Sequence, residues 1–167
     1  MVPLWKKLRE REVSATDLRN IFGIDEPPVP VLRIASGMGI EIYYRENAGW
    51  DGALDIDERN MRARIFVEKN HPVTRQRFTV AHELGHVVMH PHTHVHRDTA
   101  GRMNSDNFIE WQANRFAARL LMPEWMVRFA YNRVSTDVSQ LARSFVVSRE
   151  AMRIRLQSLG LARQYHG

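Results

Sequence analysis

Between Thr79 and Val88 the chain carries one charged residue, Glu83, set between two histidines: Thr79-Val80-Ala81-His82-Glu83-Leu84-Gly85-His86-Val87-Val88. No other stretch limits the fold as tightly. On a helix, residues four apart lie on one face, so His82 and His86 aim two imidazoles at one point. The uncharged surround implies a helix covered by protein on its flanks. Two readings fit such a helix. Its histidines are satisfied by ordinary hydrogen bonds, or they hold a metal ion with Glu83 at the edge of the same face.

The spacing is that of the H-E-x-x-H arrangement of zinc proteases, in which the two histidines ligate zinc and the glutamate acts as general base. The rest of the composition narrows the chemistry. With no cysteine in its 167 residues, the chain forms no disulfide, thiol nucleophile or cysteine-ligated zinc site. A transition-metal site must be built from His, Asp and Glu. Hydrophobic residues at 44% and charged residues at 26% describe an ordinary globular domain. Met1-Val2-Pro3-Leu4-Trp5 runs directly into charged residues, with no apolar segment resembling a secretory signal. No apolar run reaches bilayer length either. The expectation is a cytoplasmic protein with no membrane contact. A net charge of +5 permits acidic partners, nucleic acid included.

Periodicity outlines an α+β fold. Residues 1–27 read as a helical lead-in ending at Gly23 and Pro27-Pro28. A short helix follows from Val29 and closes at Gly37 and Gly39. Three strand candidates, Ile40 to Tyr44, Gly52 to Ile56 and Met61 to Val67, suggest a small three-stranded antiparallel sheet. Pro72 suits the first position of the metal-motif helix, with His71 or Asn70 as cap, and Pro91 stops it. On that helix Gly85 would let another element come close. Residues 91–107 read as a polar loop. An amphipathic helix covers Phe108 to Met122, and another covers Glu124 to Arg133. The expected organisation is a lead-in over 1–27, a metallopeptidase domain over 28–134 and a helical extension over 135–167 packed on it.

A catalytic zinc takes a third protein ligand and keeps a position open. His92 stands six residues after His86, as in the longer metzincin pattern, but Met89 occupies the glycine position of that pattern. Pro91 restrains the backbone further. Glu110, on the first turn of the following helix, would complete a His, His, Glu set. On spacing alone it is equally an exposed glutamate favoured by the helix dipole.

The segment from Arg75 to His86, taken with Glu110-x-x-Ala113-Asn114-x-Phe116-Ala117-Ala118-x-Leu120-Leu121-Met122-Pro123, resembles the ImmA/IrrE family of metallo-endopeptidases. The resemblance spans about residues 28 to 160. It implies zincin-like active-site helices, a Zn2+ ion held by His82, His86 and Glu110, and Glu83 as the catalytic residue. Many members carry a second acidic residue where this chain has Gln112, a change that bears on hydrogen bonding around the ligands. The resemblance also implies a specific protein substrate, typically a helix-turn-helix transcriptional repressor of a phage or mobile element, or an antitoxin. Zinc would lower the pKa of a water and polarise the scissile carbonyl, while Glu83 takes the proton and passes it to the leaving amine. Tyr131 and the loop histidines are the available oxyanion partners. Asn114, one turn beyond Glu110, either steadies a ligand or sits on the helix surface. His90, His92, His94 and His96 read as a solvated histidine-rich loop.

A competing function lies in the tail. Thr136 to Leu156 reads as two short helices resembling a helix-turn-helix, with Ser148 capping the second and Gly160 ending it. Arg149, Arg153 and Arg155 would supply phosphate contacts, giving weak nucleic-acid binding. In that reading the protein is a DNA-binding or repressor-binding regulator with a structural or vestigial zinc site. Val146 stands where the turn usually has glycine.

Overall fold

The computed structural model describes residues 1–91, the backbone of 95–98, and residues 107–161; side chains of 95–98 and Asn107 are outside the description. Helices α1 (Leu4–Glu10) and α2 (Ala15–Ile21) open the chain. The second is held by a reciprocal capping box, in which the Ser14 hydroxyl accepts from the Asp17 N–H and the Asp17 carboxylate accepts from the Ser14 N–H. Neither helix is a loose lead-in. Trp5, Leu8 and Leu18 are buried in the same core as the sheet and the motif helix. Arg9 reaches across to donate to the carbonyls of Val87 and Pro91 at 3.0 and 2.7 Å. The first helix thereby satisfies carbonyls that the motif helix leaves open at its C-terminal end.

Helix α3 (Val31–Gly37) leads into strands β1 (Ile40–Arg45), β2 (Gly52–Asp57) and β3 (Arg62–Glu68). The sheet differs from the expected one. It has four strands in the order β1-β3-β2-β4, the fourth being β4 (Val95–Asp98), which lies in the segment expected to be loop. Pairing is mixed: β1 runs parallel to β3, while β2 is antiparallel to both β3 and β4. Alternation marks which face of a strand is covered but carries no information about which strand lies beside it. The β2–β3 hairpin is local and legible, since Asp57 accepts from the Asn60 N–H and side-chain amide across the turn. The β1–β3 pair is a non-local choice.

The inner face of the sheet, including Leu54, Ile56, Ala63, Ile65 and Val67, meets helix α4 (Val73–Met89) through Val80, Leu84, Val87 and Val88. Pro72 is the residue preceding this helix and takes the capping position itself. Helix α5 (Asn107–Leu121) packs on the other side of α4. Gly85 makes that approach possible: a β-carbon there would stand 3.2 Å from Phe116 side-chain atoms.

Helix α6 (Glu124–Arg133) follows, then α7 (Val138–Phe145) and α8 (Arg149–Ser158). Ser148 caps α8 by accepting from the Ala151 N–H, and Gly160 ends it with a positive φ. The tail is tied to the body by Arg77, whose guanidinium donates to the carbonyls of Val146 and Val29 at 3.1 and 2.8 Å. Among the described residues no helix is long and apolar enough to cross a membrane.

Candidate metal centre

His82 and His86 lie one turn apart on α4, and Glu110 enters from the first turn of α5. The Nε2 atoms of the two histidines are 3.2 Å apart. Glu110 Oε2 lies 3.0 Å from His82 Nε2, and its Oε1 lies 3.0 Å from His86 Nε2. Both imidazoles are buried, whereas the Glu110 side chain is 31% exposed, so the cluster is open on the Glu110 side.

The outer nitrogens show what these groups can hold. His82 Nδ1 lies 2.8 Å from Asn114 Oδ1, an oxygen that can only accept, so Nδ1 donates to it and Nε2 is the nitrogen turned toward Glu110. His86 Nδ1 is 2.8 Å from His90 Nδ1, and His90 Nε2 is 3.0 Å from Gln112 Oε1. The amide oxygen again fixes the direction. His90 donates to Gln112 through Nε2 and accepts at Nδ1 from His86, whose Nε2 is turned toward Glu110. Two imidazole nitrogens and a carboxylate thus converge on one point, the donor types that zinc takes. Tetrahedral zinc with Zn–N near 2.05 Å separates two imidazole nitrogens by about 3.3 Å, which fits the observed spacing. His82, His86 and Glu110 are also the described group whose possible ligand atoms lie within 4.8 Å of one another.

Glu83 is fully buried beside this cluster. Its carboxylate faces the start of β2: a β-carbon on Gly52 would stand 3.4 Å from Glu83 Oε1 and 2.3 Å from Thr79 Cγ2. A side chain at position 52 would therefore collide with Thr79 and crowd the carboxylate. Nearby, Glu68 accepts from the backbone N–H groups of Asn47, Ala48 and Asn70, shaping the loop that leads into β2. Those hydrogen bonds, the one from Ala48 first, hold its carboxyl below the ordinary range.

The structure brings together the four residues singled out from the sequence. It also corrects the reading of His90, which is buried at the end of α4 between His86 and Gln112 rather than exposed in a histidine-rich loop. The sequence signal was available, because His90 continues the His82, His86 spacing by one more turn. His92 and His94 lie outside the described residues, and His96 falls in β4 opposite Leu54. Asn114, one turn from Glu110, is exposed on the helix surface and also places its side-chain oxygen 2.8 Å from His82 Nδ1. Tyr131 donates its hydroxyl to the Leu161 carbonyl at 2.8 Å, and that contact engages it with the tail. Gln112 was legible as bearing on the hydrogen bonding around the ligands, but its pairing with His90 and the place of Gly52 beside Glu83 were not.

The tail arginines fare differently. Arg153 is paired with Glu150 on its own helix, and Arg155 points inward, donating from Nε to the Met122 carbonyl at 2.9 Å. Burial holds the Arg155 guanidinium below its ordinary range. Of the three proposed phosphate contacts, Arg149 alone is exposed without a carboxylate pair among the described residues.

A mixed sheet, a covered helix bearing His82, Glu83 and His86, and a facing helix bearing Glu110 define a metallopeptidase-like domain. Residues 35–157 match the profile of the peptidase M78 family, the IrrE N-terminal-like domain, and the chain belongs to that family. Among its relatives, immunity region protein 2 of Bacillus phage phi105 is 33% identical over 76 residues, covering 46% of this chain and 47% of the phage protein. A solved Mycobacterium tuberculosis transcriptional regulator superposes with a TM-score of 0.59 at 17% identity, over 92% of this chain and 50% of that one. At that identity the likeness concerns the fold. The chain spans about half the length of both.

Proposed function

We propose that the protein is a zinc-dependent endopeptidase that cleaves a regulatory protein in the cytoplasm, a transcriptional repressor or an antitoxin. The observation that carries this reading is the convergence of two imidazole nitrogens and a carboxylate beside a buried glutamate that is not among the three. His82, His86 and Glu110 hold the metal, which when bound supplies Lewis acidity to the scissile carbonyl and to the attacking water. Glu83 takes the proton released as water attacks and delivers it to the leaving amine nitrogen. Asn114 and His90 fix the rotation of the two histidines, so their lone pairs stay aimed at one point. Gly52 keeps the space in which the Glu83 carboxylate sits. The phage immunity-region relative supports a regulatory protein as the substrate class.

The test compares cells expressing the wild type and Glu83→Gln, with new protein N-termini identified by terminal labelling and mass spectrometry. The expected result is a small set of cleaved proteins including a repressor or antitoxin, with the cut product reduced at least about a hundredfold in the variant. Cleavage unchanged in Glu83→Gln removes the general-base role. A variant and wild type that both retain zinc and cleave nothing favour the regulatory reading, in which the site is structural.

A further inference from the structure

A cleft of about 1200 Å³ lies between α2, α5, α6 and α8, and it shares Asn114 with the metal centre. Its charge is one-sided. Arg19, Arg115, Arg119, Arg128 and Arg155 line it, against a single carboxylate, Glu124. That carboxylate is already paired with Arg128 at 2.9 Å. Arg19, Arg115, Arg119 and Arg155 make no ion pair among the described residues.

Two of these cations are held in place at a cost. Arg19 is 5% exposed, its Nη2 reaches Thr16 Oγ1 at 3.3 Å, and its buried Nε has no hydrogen-bond partner. A buried guanidinium N–H left unmatched is unfavourable unless something anionic completes it. Burial first, and then the repulsion of Arg119, Arg115 and Arg128, hold the Arg155 guanidinium below its ordinary range, against the attraction of Glu124. One cleft thus gathers five guanidiniums against one carboxylate that is already paired, a charge balance matched to a multivalent anion.

The cleft also carries two half-exposed indoles, Trp111 at 52% and Trp125 at 51%. The Trp111 ring already stacks on Phe108 and carries the Arg115 guanidinium, whose carbon lies 5.2 Å from the ring centre, so Trp125 is the indole without such a contact among the described residues. A planar ring stacks favourably on such surfaces. Phosphates on guanidiniums and a base on an indole are the two halves of one ligand class.

From this arrangement we propose that the cleft binds a nucleoside di- or triphosphate, its phosphates on Arg119, Arg155 and Arg19 and its base against Trp125. The bound nucleotide would contact the helix face on which Asn114 holds His82, placing an effector one side chain from a metal ligand. This site does not depend on the hydrolytic reading.

The experiment titrates the metal-loaded protein with ADP, ATP, adenosine and inorganic triphosphate, following tryptophan fluorescence and calorimetry. Arg119→Ala and Arg115→Ala are run beside Arg149→Ala, which lies outside the cleft, and metal content is checked in each. Because phosphates also chelate zinc, the comparison among variants with equal metal is what reports the cleft. Saturable ATP binding that weakens at least about tenfold in Arg119→Ala and Arg115→Ala, with Arg149→Ala unchanged, supports the proposal. So does binding of ATP tighter than that of triphosphate or adenosine alone. Equal affinity for ATP and triphosphate overturns the base-stacking assignment. No saturable binding, an equal loss in Arg149→Ala, or tighter binding of a thymidine oligonucleotide or a polyglutamate peptide than of ATP overturns the site.

Discussion

The two halves of the molecule that carried recognisable motifs part company once side-chain destinations are compared. On the α4–α5 face, the motif residues meet: His82, His86 and Glu110 converge, and Asn114 and His90 occupy the outer nitrogens. In the α7–α8 tail, the backbone has the expected two-helix form, but Arg155 is turned into the protein and Arg153 onto its own helix. One motif is a set of groups whose only shared direction is a point in space. The other is a shape that packing alone explains. Function is legible where buried polar groups demand a partner, and much less so where a surface cation has several cheap ones.

The largest effect expected on this contrast is at the third ligand. Glu110→Ala should reduce zinc from about one per chain to a trace by metal analysis, while His92→Ala keeps it. Retention of full metal by Glu110→Ala would break the α4–α5 side of the comparison. Next come the outer hydrogen bonds. Asn114→Ala and Gln112→Leu should each weaken zinc about 10- to 100-fold in a competition titration with a chromophoric chelator, with little change in fold by circular dichroism. Equal affinity in both would reduce these contacts to packing.

On the tail side, a filter-binding series in rising salt should show at most weak duplex DNA retention, unchanged in the Arg149→Ala, Arg153→Ala double variant. A steep salt slope lost in that variant would put the tail on equal footing with the metal centre. The smallest effect is at the turn between α7 and α8, where Val146 adopts φ +50°. A β-branched side chain is strained there. Val146→Gly should therefore raise stability by up to about 1 kcal/mol in thermal melts, leaving zinc content as it was. A destabilised Val146→Gly would mean that the side chain contributes more by packing than its backbone strain costs.

Much of the architecture was readable locally. The prolines at 72, 91 and 123 bracket α4 and α6 nearly where expected, because proline excludes itself from helix interiors by sterics and the missing N–H. Ser148 and Gly160 mark the ends of α8 for equally local reasons. The sheet was less readable. Alternation identified β1, β2 and β3, but neither the parallel β1–β3 pairing nor the placement of β4 beside β2 leaves a mark on the residues of one strand. The N-terminal helices looked peripheral by composition, yet Trp5 and Leu18 are fully buried, since only the assembled core offers them apolar neighbours.

By itself the sequence determined the chemistry available to the site: two histidines on one helical face, an adjacent glutamate, no thiols, and a spacing shared with metallopeptidases. It also set His92 behind Glu110, because Met89 stands at the glycine position of the longer pattern, while spacing left Glu110 equally a ligand or an exposed helix-start glutamate. Tertiary structure decided that Glu110 meets the histidines, that Gly52 lies against Thr79 and Glu83, and that Asn114, His90 and Gln112 stand at the outer nitrogens. Helical periodicity acts within a few residues and is written in order along the chain. The convergence of α4, α5 and β2 depends on which surfaces bury one another, and that choice belongs to the whole core.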